Sequence, residues 1–459
     1  MPSFMPHDQR RLQMIRNLMR QQEDSAGGQE KLPREKLIVK GKADRAPVYR
    51  ISVDDLAFNK ANGRIKAEVL EKEAELGREL DASNKEDQAL IREILLGIRA
   101  DENEKILEDL KKNGQIHPGI ITCDGTVING NRRKAIFEKL HGRTGEDLYK
   151  YLDVQVLPSD ITKRELWLIE AGIQLSTPQQ LDYSPINHLL KLREGRLSGL
   201  EIDEMAARIY GVTEERLLAD LSRLELIDGF LKDFLEKPER YYLVKQLNEH
   251  FIDLQNILVW AARPRGNIKL NWAPDASDVN ELKLVAFYYI RLRMSHWRIR
   301  DLRDLFASKE SWREVKQALK VDIQLTSEDR KKMGLQPEGG DSSEEDETGD
   351  SGDESLKPKT PVEEKDIQEE AVWREVHEDK LKNYYQDAKE SKEILRDTER
   401  PLALVTRALR IIDAIPLDKR KLNDPEIDDV LRQIIEKINV LRKAIKTQKQ
   451  TKARKLKSK

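Results

Sequence analysis

Two adjacent arginines, Arg132 and Arg133, follow Gly130 and Asn131 in the segment DGTVINGNRRKAIFEKL, residues 124–140. Guanidinium groups present fixed forks that suit phosphate oxygens. The start of a helix adds unpaired backbone N–H groups and the positive end of the helix dipole. A glycine at that point lets the backbone approach a ligand with no Cβ in the way. The chemistry within reach of these residue types is therefore the binding of an anion, a polyphosphate in particular. A second glycine turn, NGQIHPG at 113–119, is placed to form another wall of such a pocket. The same arginines also suit a surface helix that faces water, and the pattern alone leaves both readings open.

Other chemistries are poorly supplied. Cys123 is the only cysteine, which excludes a disulfide framework or a cysteine-based zinc site within one chain and fits a reducing cytosol. It falls in an expected strand and reads as a small buried hydrophobe rather than a nucleophile. The seven histidines are scattered without ligand spacing, and His117 beside Pro118 reads as structural.

The elements that must position the arginines can be traced outward from them. With 459 residues, the chain has room for two or three domains, and 36% charged against 5% aromatic residues suggests a helix-rich, well-solvated protein. A formal charge of −2 conceals strong local asymmetry, so it says nothing about an anionic partner. Residues 1–46 read as a mobile basic arm, with an amphipathic helix over about 9–22. A strand is expected in 47–58, a turn at NKANGR (59–64), and helix across 66–112 up to Gly114. Two short strands, GIITC and TVIN, are joined by Asp124-Gly125, a hairpin dipeptide. A helix from about 132 to 140, a strand at 152–158 and a helix at 161–175 complete an α/β (α+β) domain over 47–182.

From 184 to about 330 the pattern is helical, read as a helix-turn-helix domain (183–235) and a further helical domain (236–335). Residues 338–354 carry nine acidic residues and no basic one, within an expected disordered linker at 336–365. C-terminal helices fill 366–459. There, Ile427, Leu431, Ile434, Ile438, Leu441 and Ile445 recur at spacings of 4-3-4-3-4, a heptad seam suited to a homodimer. Nine lysines and arginines and no acid follow from Arg442 to the end. Apolar runs such as LVAFYYI (284–290) are far too short to span a bilayer, so no membrane partner is expected and the cytoplasm is the expected location.

The stretch NGQIHPGIITCDGTVINGNRRKAIFEKLHG resembles the N-terminal domain of ParB-like proteins, which shares its fold with sulfiredoxin. That family has a Gly-containing turn with a following proline, then an arginine box at a strand-to-helix junction. The resemblance covers roughly residues 47–230: YRISVDDLAFNKANGR is similar to the opening strand and turn, ELWLIEAGIQL to the later acidic helix, and 181–226 to the adjoining helix-turn-helix. It implies a pocket for a nucleoside triphosphate with Mg, CTP being favoured, that gates a clamp around DNA on the nucleoid. By this resemblance Arg64, Gly114, Pro118, Gly130, Asn131, Arg132 and Arg133 would bind the nucleotide, and Glu170 would help position the metal and is the one candidate for a catalytic residue. The box here is Gly-Asn-Arg-Arg where partition proteins usually have Gly-Glu-Arg-Arg. The family's E-N-x-x-R motif is Glu170-Ala-Gly-Ile-Gln174, which argues against efficient hydrolysis. Sulfiredoxin chemistry needs a cysteine in the box, and there is none. A ParB-like nuclease or NTPase of a mobile-element or phage-defence system, and a non-catalytic adaptor with a vestigial pocket, are the alternatives.

Two stretches are candidates for DNA contact. In EIDEMAARIYGVTEERLLADLSRL (201–224) a second helix opens at Thr213 and carries Arg216 and Arg223, although acids outnumber arginines around it. In FYYIRLRMSHWRIRDLRDLF (287–306) Arg291, Arg293, Arg298 and Arg300 are interleaved with Tyr288, Tyr289 and Trp297, a mixture suited to phosphates and base stacking. The commoner reading of the second stretch is an amphipathic helix with its aromatics in a core.

Overall fold

A computed structural model describes residues 8–98, 100–175, 183–263, 270–332, 361–397, 401–413 and 425–457. Helix α1 (Gln9–Ala26) begins at Asp8, whose carboxylate accepts the N–H groups of Arg10 and Arg11, and stops at Gly27 with φ 76°. Ile15 on this helix is fully buried among Tyr49, Val127 and Leu152. Strands β1 (Arg34–Val39) and β2 (Lys42–Pro47) pair as a hairpin through a two-residue loop, Lys40 and Gly41, both at positive φ. Gln155 donates to the Glu35 carbonyl at 2.7 Å, and Leu37 packs with Ile120, Ile128 and Ile169. The arm expected over 1–46 is thus corrected from residue 8 onward. Its helix is present, but helix and hairpin both belong to the folded unit, because Ile15 and Leu37 give them buried anchors.

The main sheet has the order β3-β6-β4-β5, built from β3 (Tyr49–Ser52), β4 (Gly119–Ile121), β5 (Val127–Asn129) and β6 (Tyr151–Val156). β4 runs parallel to β6, and the other two pairings are antiparallel. The hairpin β4–β5 turns at Gly125, φ 81°, as its Asp-Gly pair requires. Between β3 and β4 lie α2 (Lys66–Leu76), α3 (Lys85–Gly97) and α4 (Ala100–Asn113). Helix α5 (Asn131–Thr144) follows β5, and α6 (Lys163–Gln174) follows β6 behind a Thr162–Glu165 capping box.

The rest is helical among the described residues: α7 (Pro185–Leu197), α8 (Ile202–Ala206), α9 (Glu214–Gly229), α10 (Asn248–Ala262), α11 (Ala276–Arg291), α12 (His296–Phe306), α13 (Lys309–Val315), α14 (Ser327–Lys332) and α15 (Pro361–Asp397). Helix α9 runs on into a π-helical turn, Phe230–Phe234, whose two phenylalanines pack against Phe287 with centroids 5.2 and 5.5 Å away. The core there also takes Trp373, Leu381, Tyr385 and Ala388 from α15. The expected boundary is corrected accordingly. The acidic stretch 338–354 lies outside the described residues, but α15 beyond it shares one core with α10–α12, so residues up to Lys389 form a single unit.

A second unit runs from Glu390 and contains α16 (Pro401–Asp413) and α17 (Pro425–Lys457). On α17 the seam residues Leu431, Ile438, Leu441 and Ile445 are exposed, and so are Ile435 and Val440. The chain is therefore a mixed α/β region followed by a largely helical one. No helix among the described residues is long and apolar enough to cross a membrane.

Candidate functional site

The start of α5 is built by a sharp turn out of β5. Gly130 caps the helix at φ 110°, a conformation strained for any L side chain, and no side chain caps the helix there. Arg132 reaches from the first turn to Glu102 on α4, with Nη1 2.9 Å from Oε2, and its side chain is only 10% exposed. Arg133 donates to the His117 carbonyl, and burial lowers its pKa from the usual arginine value. The 113–119 turn is held in turn by Gln115, which bonds the Asp153 carbonyl at 2.7 Å and the Asp153 N–H at 2.9 Å. Gly114 ends α4 at φ 67°. Through Arg133 the structure thus joins the turn carrying Gly114 and Pro118 to the box carrying Gly130, Arg132 and Arg133.

Asn131 has another task. It is 3% exposed, its Oδ1 accepts the Asn59 N–H at 3.1 Å, and its Nδ2 donates to the Val127 carbonyl at 2.7 Å. Its amide fastens α5 to the 59–64 turn and to β5. Two residues near the box escaped sequence reasoning. Glu102 belongs to no motif, and Lys134 is buried with its ammonium 3.6 Å from the Phe58 ring centre. Burial lowers the pKa of Lys134 against the opposing pull of Glu138.

Arg64 and Glu170 both lie near Tyr183, at a different place. Glu170 is 2% exposed; Oε1 accepts the Gly63 N–H at 3.2 Å and Oε2 lies 2.6 Å from Lys191 Nζ. Lys191, itself fully buried, also pairs with Glu194 at 3.0 Å. Burial works against its charge, yet the two carboxylates hold its pKa above the usual lysine value. The cation beside the Glu170 carboxylate is thus an ammonium from α7. Tyr183 packs so tightly on Gly63 that a Cβ there would lie 2.5 Å from the tyrosine oxygen. Arg64 bonds through its backbone, its carbonyl accepting Asn187 Nδ2 at 3.0 Å, while its charge acts on Tyr183. The 59–64 turn links this cluster with the box: Asn59 touches Asn131, and Gly63 touches Glu170.

The DNA candidates separate in the same way. Thr213 is exposed and caps α9 by accepting the Arg216 N–H. Arg216 remains 60% exposed while pairing with Asp220 at 3.2 Å. Arg223 is 5% exposed and holds the same buried Asp220 at 2.8 Å. Arg291 is buried: it grips Glu370 of α15 at 2.8 and 3.0 Å and lies 3.9 Å from the Trp373 ring centre. Arg293 donates to the Leu243 carbonyl at 3.0 Å, and Arg300 forks onto Asp253 at 3.0 and 3.2 Å. Arg298 stays half-buried over Trp297. Tyr288 and Tyr289 are core residues, so the basic stretch serves mainly as scaffold.

A cleft of about 1010 Å³ lies elsewhere, between the β1–β2 hairpin, α6 and α8, lined by Leu37, Ile120, Ile169 and Ile209 together with Lys36 and Arg208. Compared with known proteins, the chain matches no family model and no curated protein.

Proposed function

We propose that this chain is a ParB-like, DNA-associated protein that holds a nucleoside triphosphate with Mg, CTP in preference, at the start of α5. The observation that carries the reading is the uncapped helix N-terminus, with Arg132 and Arg133 in its first turn and the 113–119 turn bonded to it. Its position between β5 and α5 supports the ParB/sulfiredoxin assignment, since that motif sits at a strand-to-helix junction. Glu102 already lays a carboxylate on Arg132, and a carboxylate is the protein's own analogue of the phosphate that this fork suits. A triphosphate would displace it, and α4, freed from that pairing, is the element through which binding would be relayed. DNA contact falls to groups that remain exposed: Thr213, Arg216, Arg293, Arg300, and Lys443 and Lys446 of α17. The exposed seam of α17 supports a homodimer through 427–445.

The test is binding of CTP, ATP and GTP with Mg to the purified chain, with and without DNA, beside Arg132→Ala. One triphosphate should bind, and the variant should bind it at least about tenfold more weakly, the scale of one charge-assisted bond removed. No binding under any condition would overturn the switch and favour a second reading, the adaptor with a vestigial pocket. That reading draws on the same two pairings, Glu102 on Arg132 and Lys191 on Glu170.

A further inference from the structure

The segment KESWREVKQALK, residues 309–320, places Lys309, Arg313, Lys316 and Lys320 at spacings of 4, 3 and 4. Helix α13 and the tight 3₁₀ turn Lys316–Lys320 that continues it keep those positions on one side. All four line a cleft of about 480 Å³ together with Trp272 and Trp312. Lys316 is paired with Glu281, whereas Lys309, Arg313 and Lys320 are exposed and form no ion pair among the described residues. The carboxylates nearest this face are already engaged. Asp278 closes the capping box of α11, and Glu310 accepts from Asn271 at 3.0 Å and from Ser308 at 3.2 Å.

The two indoles give the cleft a second kind of surface. Trp272 is half-buried and fixed edge-on to Phe306, its Nε1 donating to the Phe306 carbonyl at 2.8 Å. Trp312 is 4% exposed, and its indole N–H, buried, has no hydrogen-bond partner among the described residues. Three exposed cations, Lys309, Arg313 and Lys320, beside a rigid aromatic wall match a phosphate backbone with a flat ring attached.

We propose that this face binds a single strand of nucleic acid, its phosphates along 309–320 and one unpaired base against Trp272. A base inside a duplex is stacked on its neighbours and cannot enter a cleft of this size, which is the argument for a strand. The site is separate from the start of α5 and does not rest on the nucleotide reading.

The test uses the full chain and a fluorescent oligothymidylate about twelve nucleotides long, within the range of known single-strand sites. The triple variant Lys309→Ala, Arg313→Ala, Lys320→Ala changes only exposed side chains, so its fold is expected to persist, with circular dichroism as the check. Binding should weaken tenfold or more, and the slope of log K against log salt should become shallower by roughly 2, at about 0.7 for each phosphate no longer neutralised. Trp272→Leu should weaken binding by roughly 5- to 150-fold through the missing stacking surface. Photocrosslinks from a 4-thiothymidine probe should fall within 270–320, and Arg132→Ala should leave all of this unchanged. Unchanged affinity in the triple variant, or crosslinks confined to α17, would overturn the site. Equal binding of the matching duplex, or equal competition by free thymidine monophosphate, would overturn the strand.

Discussion

At the scale of single residues, the molecule spends its most suggestive charges on each other. Lys191 and Glu170 form a buried pair with the Gly63 N–H as third partner. Removing the ammonium leaves a buried carboxylate uncompensated, so Lys191→Ala should cost about 3–5 kcal/mol in urea denaturation. A loss below 1 kcal/mol, roughly the value of an exposed pair, would mean that Glu170 is not held as described. Asp87 gives a pH signature. It accepts both N–H groups of the Arg78 fork at 2.8 Å and the Asp81 N–H at 2.7 Å, which holds its carboxyl down at about 2. An unfolded aspartate titrates near about 3.9, so this group stabilises the fold above about pH 4 and its contribution disappears as the pH falls from about 4 to about 2. The gap in melting temperature between the parent chain and Asp87→Asn should shrink over that window. A constant gap would count against the Arg78 pairing as its cause.

At the scale of elements, local signals located the secondary structure and said little about burial. The Asp124-Gly125 turn and the Thr213 cap are local chemistry, and each lies where the sequence places it. The β1–β2 hairpin was hidden because nearly all its residues are polar or exposed and Leu37 alone is fully buried. The arginine-rich stretch misled for the opposite reason. Arg291 looks like a surface charge until Glu370 arrives from a helix seventy-nine positions on, and no local pattern contains that meeting. In the candidate site, Gly130, Arg132 and Arg133 were legible by type and spacing, whereas the partners Glu102 and Lys191 belong to tertiary packing. Pairing through α17 is testable on its own terms. Ile438→Glu puts a charge in the middle of an apolar seam and should shift the chain from dimer to monomer in analytical ultracentrifugation. An unchanged dimer would place the interface elsewhere.

At the scale of the whole molecule, the acidic stretch interrupts the sequence without dividing the core. Trp373 and Leu381 of α15 are fully buried among α10–α12, and Lys237 and Arg330 meet Glu369 at 3.0 and 2.9 Å. A chain with a protease site inserted between residues 338 and 354, once cut, should still elute as one species. Separation of the two fragments without denaturant would contradict a shared core. The 59–64 turn has a comparable reach on a smaller footprint. The N–H groups of Asn59, Ala61, Asn62, Gly63 and Arg64 are all taken, by Asn131, Asn59, Glu170 and Asn62, and just beyond them Ala67 bonds Asn187 at 2.7 Å. Connecting loops ordinarily surrender their amide protons to deuterium first. Here the Asn59 and Gly63 protons are held until α5 or α6 lets go, so two amides in a stretch with no regular structure should keep their hydrogen as long as the helices that hold them.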